Sequence, residues 1–154
     1  MLERAGVGWR RRDSGTLRLD PTQALASRLD GAYQGVVELL RLHAPDLVVI
    51  EECFVARGPK AALVLGEVRG VLLLAVHQAG CECLEVAPRA VKLAVVGHGG
   101  ASKEQIQYMV PRLLEGCPAS LGPDEADALA IAWCGASRRA LLAMARGRPR
   151  GAES

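Results

Sequence analysis

Pro123-Asp124-Glu125-Ala126-Asp127-Ala128-Leu129-Ala130-Ile131-Ala132 reads as the opening of a helix around which the rest of the chain is organised. Asp124 and Asp127 stand three residues apart, so on a helix they lie on neighbouring positions one turn apart. The residues that follow are small or apolar, so the helix beds into a core and presents two carboxylates from its first turn. Pro at the first helical position and acidic residues after it also suit a helix N-terminus, which carries partial positive charge. Capping alone explains such a pattern; a second acidic site, far back in the chain, makes it informative.

That second site closes Asp46-Leu47-Val48-Val49-Ile50-Glu51-Glu52. The stretch is apolar on both faces, as a central strand in a covered sheet is. Alternation sends Glu51 and Glu52 to opposite faces, so only one can serve a shared site. A carboxylate ending a buried strand without compensation is costly and favours a cation nearby.

Outward from these two elements the chain alternates. Val7 to Arg12 and Thr16 to Leu19 flank Asp13-Ser14-Gly15 and read as a hairpin. Asp20-Pro21 opens a helix to about His43, with Leu25, Leu29, Val36, Leu39 and Leu40 as its apolar stripe. After the 46–52 strand, a helix is expected over 61–78, a strand over 83–86 and a short helix from Pro88 to Val96. Gly97-His98-Gly99-Gly100 is a loop, and Ser102-Lys103-Glu104-Gln105 carries a capping box for a helix to about Glu115, interrupted by Pro111. The pattern is an α/β domain with a mixed sheet and flanking helices over residues 1–145, followed by a disordered basic tail over 146–154.

A chain of 154 residues is one domain's worth and long enough for a real core. A net charge of +2 does not itself imply nucleic acid, but Arg10-Arg11-Arg12 and the arginines from Arg138 onward concentrate the positive charge. The five cysteines are odd in number and lack metal-knuckle spacing, so they read as packed, reduced thiols of a cytoplasmic protein. The Met1-Leu2-Glu3-Arg4 start is not a signal peptide, and no apolar run approaches a membrane span.

Carboxylates at a strand end together with a pair on a later helix form the donor set that Mg²⁺ takes, a hard ion bound by a few carboxylates, waters and substrate phosphates. Two such ions about 3.5–4 Å apart activate a water and stabilise the leaving oxygen in phosphodiester cleavage. Lys92 and Lys103 bracket the glycine loop, and Arg57 and Lys60 follow the strand, as phosphate contacts. Phe54 is placed to stack on a base.

These residues resemble the RuvC family. Ile50-Glu51-Glu52-Cys53-Phe54, Leu65-Gly66-Glu67-Val68-Arg69-Gly70, Val91-Lys92 into Val95-Val96-Gly97-His98-Gly99, Lys103 with Gln107-Tyr108-Met109-Val110, and the Asp124–Ala132 motif occur in that family's order and spacing, from about Ala5 to Ala136. The resemblance implies an RNase H-like fold and a homodimeric Holliday-junction resolvase that cuts four-way junction DNA symmetrically. It implies two Mg²⁺ ions per site, with Mn²⁺ as an alternative, and the branch-migration proteins RuvA and RuvB as partners. Carried over by position, Glu51, Asp124 and Asp127 are metal and catalytic residues. Lys92 and Lys103 are catalytic lysines that also meet DNA, and Phe54 is the aromatic at the junction. The helix over 61–78 supplies much of the dimer contact.

The resemblance is incomplete at one point. The family's chains begin with a strand ending in a metal-binding Asp, and the match here starts at Ala5-Gly6-Val7-Gly8-Trp9, read as the family's second strand. The first central strand is therefore expected to be missing from this sequence. The alternative function is a junction-binding RNase H-like module, catalytically impaired because that Asp is absent.

Overall fold

The computed structural model describes residues 1–52, 58–118 and 120–146. In chain order the elements are β1 (Leu2–Ala5), β2 (Gly8–Arg11), α1 (Leu25–His43), β3 (Leu47–Glu51), α2 (Pro59–Gln78), β4 (Glu82–Val86), α3 (Pro88–Val96), α4 (Lys103–Leu113), β5 (Leu114–Glu115) and α5 (Pro123–Arg146). They form two compact units. One joins Met1–Asp13 to the chain from Arg89 onward; the other is Ser14–Pro88.

In the first unit β1 and β2 form an antiparallel hairpin, with Leu2 opposite Arg11 and Ala5 opposite Gly8. Its two-residue turn is Gly6-Val7, where Gly6 takes φ 56°, a left-handed conformation that glycine adopts without a Cβ penalty. The hairpin expected around Asp13-Ser14-Gly15 is thus displaced toward the N-terminus. The Arg12 and Asp13 amides end the ladder by donating to the Met1 carbonyl at 3.0 and 3.4 Å. β2 also pairs in parallel with β5, Trp9 opposite Leu114 and Arg10 opposite Glu115, giving the sheet order β1-β2-β5.

α4 opens on the expected capping box. The Gln105 amide donates to Ser102 Oγ at 3.3 Å, and Gln105 Oε1 accepts from the Ser102 amide at 2.9 Å. The helix stops at Leu113, two residues after Pro111, sooner than the sequence suggests. Leu114 and Glu115 exchange helical for sheet hydrogen bonds, and Leu114 becomes buried. α5 packs on α4, burying Ala126, Leu129, Ala130 and Cys134, while α4 contributes Ile106 and Val110 to the core.

The second unit holds a parallel pair, β3 and β4, in register from Leu47 opposite Glu82 to Glu51 opposite Val86. α1 packs on α2 around Leu40, Ala75 and Val76, with Tyr33, Val36, Val37, Val48 and Cys81 against them. Arg69 of α2 donates from Nε to Glu85 Oε2 at 2.9 Å and so ties that helix to β4. α1 begins at Leu25 rather than at Pro21, because Asp20 instead closes a local turn. Its Oδ1 accepts from the Thr22 amide at 2.9 Å and from Thr22 Oγ1 at 2.7 Å. Those two bonds hold the Asp20 carboxyl below the usual carboxylate range. Thr16–Leu19 forms no strand. Leu17 and Leu19 lie over Gly35 and Gly31 of α1 instead; a Cβ on Gly35 would come within 2.9 Å of Leu17 Cδ2.

Four cysteines are free thiols. Cys134 is buried and Cys81 and Cys117 half-buried, but Cys83 is exposed, so the expectation of packed thiols holds only for the first three; Cys53 lies outside the described residues. Among the described residues no helix is long and apolar enough to cross a membrane.

Leu129 is 2% exposed at the centre of the α4–α5 contact, so Leu129→Ala should cost about 3 kcal/mol in unfolding free energy through lost burial and a cavity. Leu42→Ala, at a position 72% exposed on α1, should stay within about 0.5 kcal/mol. Guanidinium titration of both variants measures the difference.

Candidate active site

α5 takes its orientation from its buried face. A helix turns about 100° per residue, and Ala126, Leu129 and Ala130, all 2% exposed or less, define the inward direction. Asp124 then points away from the core and is exposed, while Glu125 and Asp127 fall on the two flanks and are half-buried. The Ala126 amide donates to the Gly122 carbonyl at 2.9 Å, closing the first turn.

Each flank has its own basic partner. Lys103, the first residue of α4, places Nζ 3.6 Å from Asp127 Oδ2, with side chains 74% and 39% exposed. On the other flank Arg11 of β2 donates from Nη2 to Glu125 Oε1 at 3.3 Å, and these side chains are only 23% and 24% exposed. Cys117 borders that second pair. Burial pushes its thiol up; the Arg11 guanidinium opposes the shift and the Glu125 carboxylate adds to it.

Of the expected site residues, Asp124, Asp127, Lys92 and Lys103 all belong to the first unit. Asp127 and Lys103 are in direct contact, with Asp124 one turn before Asp127. Lys92 is half-buried on α3, which ends where Gly97 turns to φ 89° and donates to the Leu93 carbonyl at 2.9 Å. Glu51 ends β3 and Lys60 is exposed in the first turn of α2, both in the second unit. Phe54 and Arg57 lie outside the described residues, as does the tail beyond Arg146.

The sequence reading missed the tie between Arg11 and Glu125. Both residues stand in conspicuous stretches, Arg11 in a basic run and Glu125 in the acidic motif. Their separation of 114 residues carries no local spacing that would couple them.

Among the described residues no group of three or more His, Cys, Asp or Glu side chains is gathered closely enough to hold a metal ion. Asp124 and Asp127 nevertheless suit Mg²⁺ as a donor pair. They are oxygen ligands, open to water, at a helix start, and Mg²⁺ is commonly held by one or two carboxylates with substrate phosphates and waters completing its shell. The Lys103 ammonium already balances one of the two charges.

Residues 1–135 match the family model described as crossover junction endodeoxyribonuclease RuvC. The chain is 49% identical over 110 residues to the crossover junction endodeoxyribonuclease RuvC of Paracoccus denitrificans, covering 71% of this chain and 66% of that protein. It is 39% identical over 134 residues to the protein of the same name from Pseudoalteromonas atlantica, covering 87% and 76% respectively. Among solved structures, Thermus thermophilus RuvC superposes with a TM-score of 0.80 at 31% identity, over 92% of this chain and 86% of that one. T. thermophilus RuvC in complex with Holliday junction substrate gives a TM-score of 0.83 at 30% identity, over 91% and 86%. The expected RNase H-like α/β fold is thereby borne out. With the family model spanning most of its length and relatives at this level of identity, the chain belongs to the RuvC family of crossover junction endodeoxyribonucleases.

Proposed function

We propose that this chain resolves Holliday junctions by metal-dependent phosphodiester hydrolysis, with Asp124 and Asp127 as metal-binding carboxylates. The observation that carries the reading is the first turn of α5 in a chain of the RuvC family: Asp124 is exposed, and half-buried Asp127 lies 3.6 Å from the Lys103 ammonium. Glu51 is the further acidic residue, assigned on the family resemblance. The ion is Mg²⁺, with Mn²⁺ as an alternative; when bound, it lowers the pKa of a coordinated water and offsets charge on the leaving oxygen.

The chain's own residues do the rest. Asp124 and Asp127 keep their oxygens turned to solvent because the opposite face of the helix is locked in the core. Lys103 offers its ammonium to a phosphate oxygen as a mobile point charge, and Lys92 of α3 is assigned as a second cation on the family resemblance. Lys60, with Phe54 and Arg57, is assigned to DNA contact on sequence alone.

The reading extends to a homodimer acting in the cytoplasm with RuvA and RuvB. α2 supports the dimer. It is apolar nearly all round, a pattern that belongs to a buried helix, yet Leu63 and Leu74, which the helical period puts on one face, are 65% and 50% exposed. A two-fold pairing through such a face would set equivalent sites on a substrate that itself has near two-fold symmetry.

Cleavage of a synthetic four-way junction in Mg²⁺ tests the assignment. Asp124→Asn should lower the rate by about 100-fold or more while leaving junction affinity within about two-fold, since the carboxylate acts on the metal and not on the DNA. Equal binding by both proteins with cutting by neither would establish the non-cleaving junction binder instead. Lys103→Ala separates the roles of its own side chain. Loss of an exposed ion pair should change stability by less than about 1 kcal/mol in a thermal melt, whereas the cleavage rate should fall. Junction affinity should also drop steeply from low to moderate salt as phosphate contacts release counterions.

A further inference from the structure

On the proposed reading of Asp124 and Asp127 as metal ligands, we infer that Arg11 and Glu125 act as a positioning pair that holds the first turn of α5 at the rotation in which both aspartates face the metal. Three carboxylates of one turn fall on different sides of the helix. Asp124 points outward, and Glu125 and Asp127 lie on opposite flanks of the helix. Each flank is tied to a different element, Glu125 to β2 through Arg11 and Asp127 to α4 through Lys103. The two ties oppose each other about the helix axis.

They are unequal in a way that matters once substrate arrives. The Lys103–Asp127 pair is exposed and 3.6 Å long, and both members are needed elsewhere, one by a metal and the other by a phosphate. When they part, that flank is released. The Arg11–Glu125 pair is three-quarters buried on each side and neither member has a catalytic assignment, so it persists. It anchors the turn to a strand held on both sides, by β1 and by β5. Arg11 also compensates one of three closely spaced negative charges, which repel one another most strongly before any cation binds.

Position and charge make opposite predictions, and this makes the pair testable. Full-length chains carrying Arg11→Ala, Glu125→Ala, both changes together, or the exchange Arg11→Glu with Glu125→Arg are titrated with Mn²⁺ without DNA, the free ion being read by electron paramagnetic resonance. Asp124→Asn is the control for the metal site. If the pair positions the ligands, Arg11→Ala and Glu125→Ala each weaken Mn²⁺ binding by about 10-fold or more, as loss of outer partners of metal ligands does. The double variant is no worse than either, and the exchange recovers most of the loss. Hydrogen exchange at the amides of 124–128 should quicken in Arg11→Ala while that of Ile106 and Val110 stays unchanged. Should Arg11→Ala not fold, Arg11→Lys, shorter in reach but equal in charge, takes its place and should show a smaller weakening.

If local charge alone mattered, Arg11→Ala would tighten Mn²⁺ binding, Glu125→Ala would weaken it, and the double variant would match the wild type. That pattern overturns the proposal. Unchanged binding in the pair variants beside a loss in Asp124→Asn also overturns it, and leaves the nuclease reading standing. Binding unaffected by Asp124→Asn, or absent from the wild type, overturns both.

Discussion

The candidate site depends on one constraint, the burial of Ala126, Leu129 and Ala130 against the rest of their unit. A helix with three inward positions sealed to 2% exposure or less turns one face inward, so the helical period sets the sides on which Asp124, Glu125 and Asp127 emerge, and the ion pairs on the two flanks trim the first turn about that setting. The alanines let the helix approach its neighbours closely, and Leu129 fills the space between them. Burying one such leucine is worth about 2 kcal/mol, enough to outweigh the mutual repulsion of acidic groups that face water. Acidic residues at a helix start also gain from the local dipole. The same turn is therefore stable without a metal and negative enough to attract one.

The second unit is built differently. β3 is apolar on both faces, as a covered central strand is, yet all five of its residues are only half-buried and, among the described residues, it pairs with β4 alone. Its apolar content exceeds what this pairing uses. α2 shows a similar excess, with Ala75 and Val76 alone sealed among the described residues of a helix that is apolar nearly throughout. What fixes the unit internally is the contact of α1 with α2 around Leu40, plus the tie from Arg69 to Glu85. Gly31 and Gly35 let the side chains of Leu19 and Leu17 lie close over α1.

The helices were legible because their signals are local. The capping box at Ser102, Pro123 before an acidic turn, and the apolar runs each placed an element within a few residues. The hairpin was misplaced because Asp13-Ser14-Gly15 is a louder turn signal than Gly6-Val7, and only the register of the backbone bonds shows which one turns. Asp20 has the residue type of a helix cap and is a turn former, since the Thr22 amide and hydroxyl both donate to its Oδ1. β5 was invisible, two residues gaining strand character only by meeting β2. The basic run at 10–12 concentrates positive charge in the sequence, but Arg10 and Arg12 meet Glu3, Arg10 also meets Glu115, and Arg11 meets Glu125. Sequence exposes the residue types of a site; it does not expose which opposite charge a fold brings beside them.

The two ion pairs on α5 differ in the property that suits each to its part. An exposed lysine–carboxylate pair is worth between about 0 and 1 kcal/mol, so Lys103 and Asp127 can separate at little cost when better partners arrive. Lysine's flexible stem lets it follow a phosphate without disturbing α4. A hydrogen bond to a charged group in a site three-quarters buried is worth about 1.5–3 kcal/mol, and breaking it strands a carboxylate where water is scarce. Arginine's planar fork holds direction as well as charge, which a rotating tie would need. A catalytic turn has to surrender its contacts to substrate without losing its orientation, and the unequal pairs on its two flanks meet both requirements with four side chains.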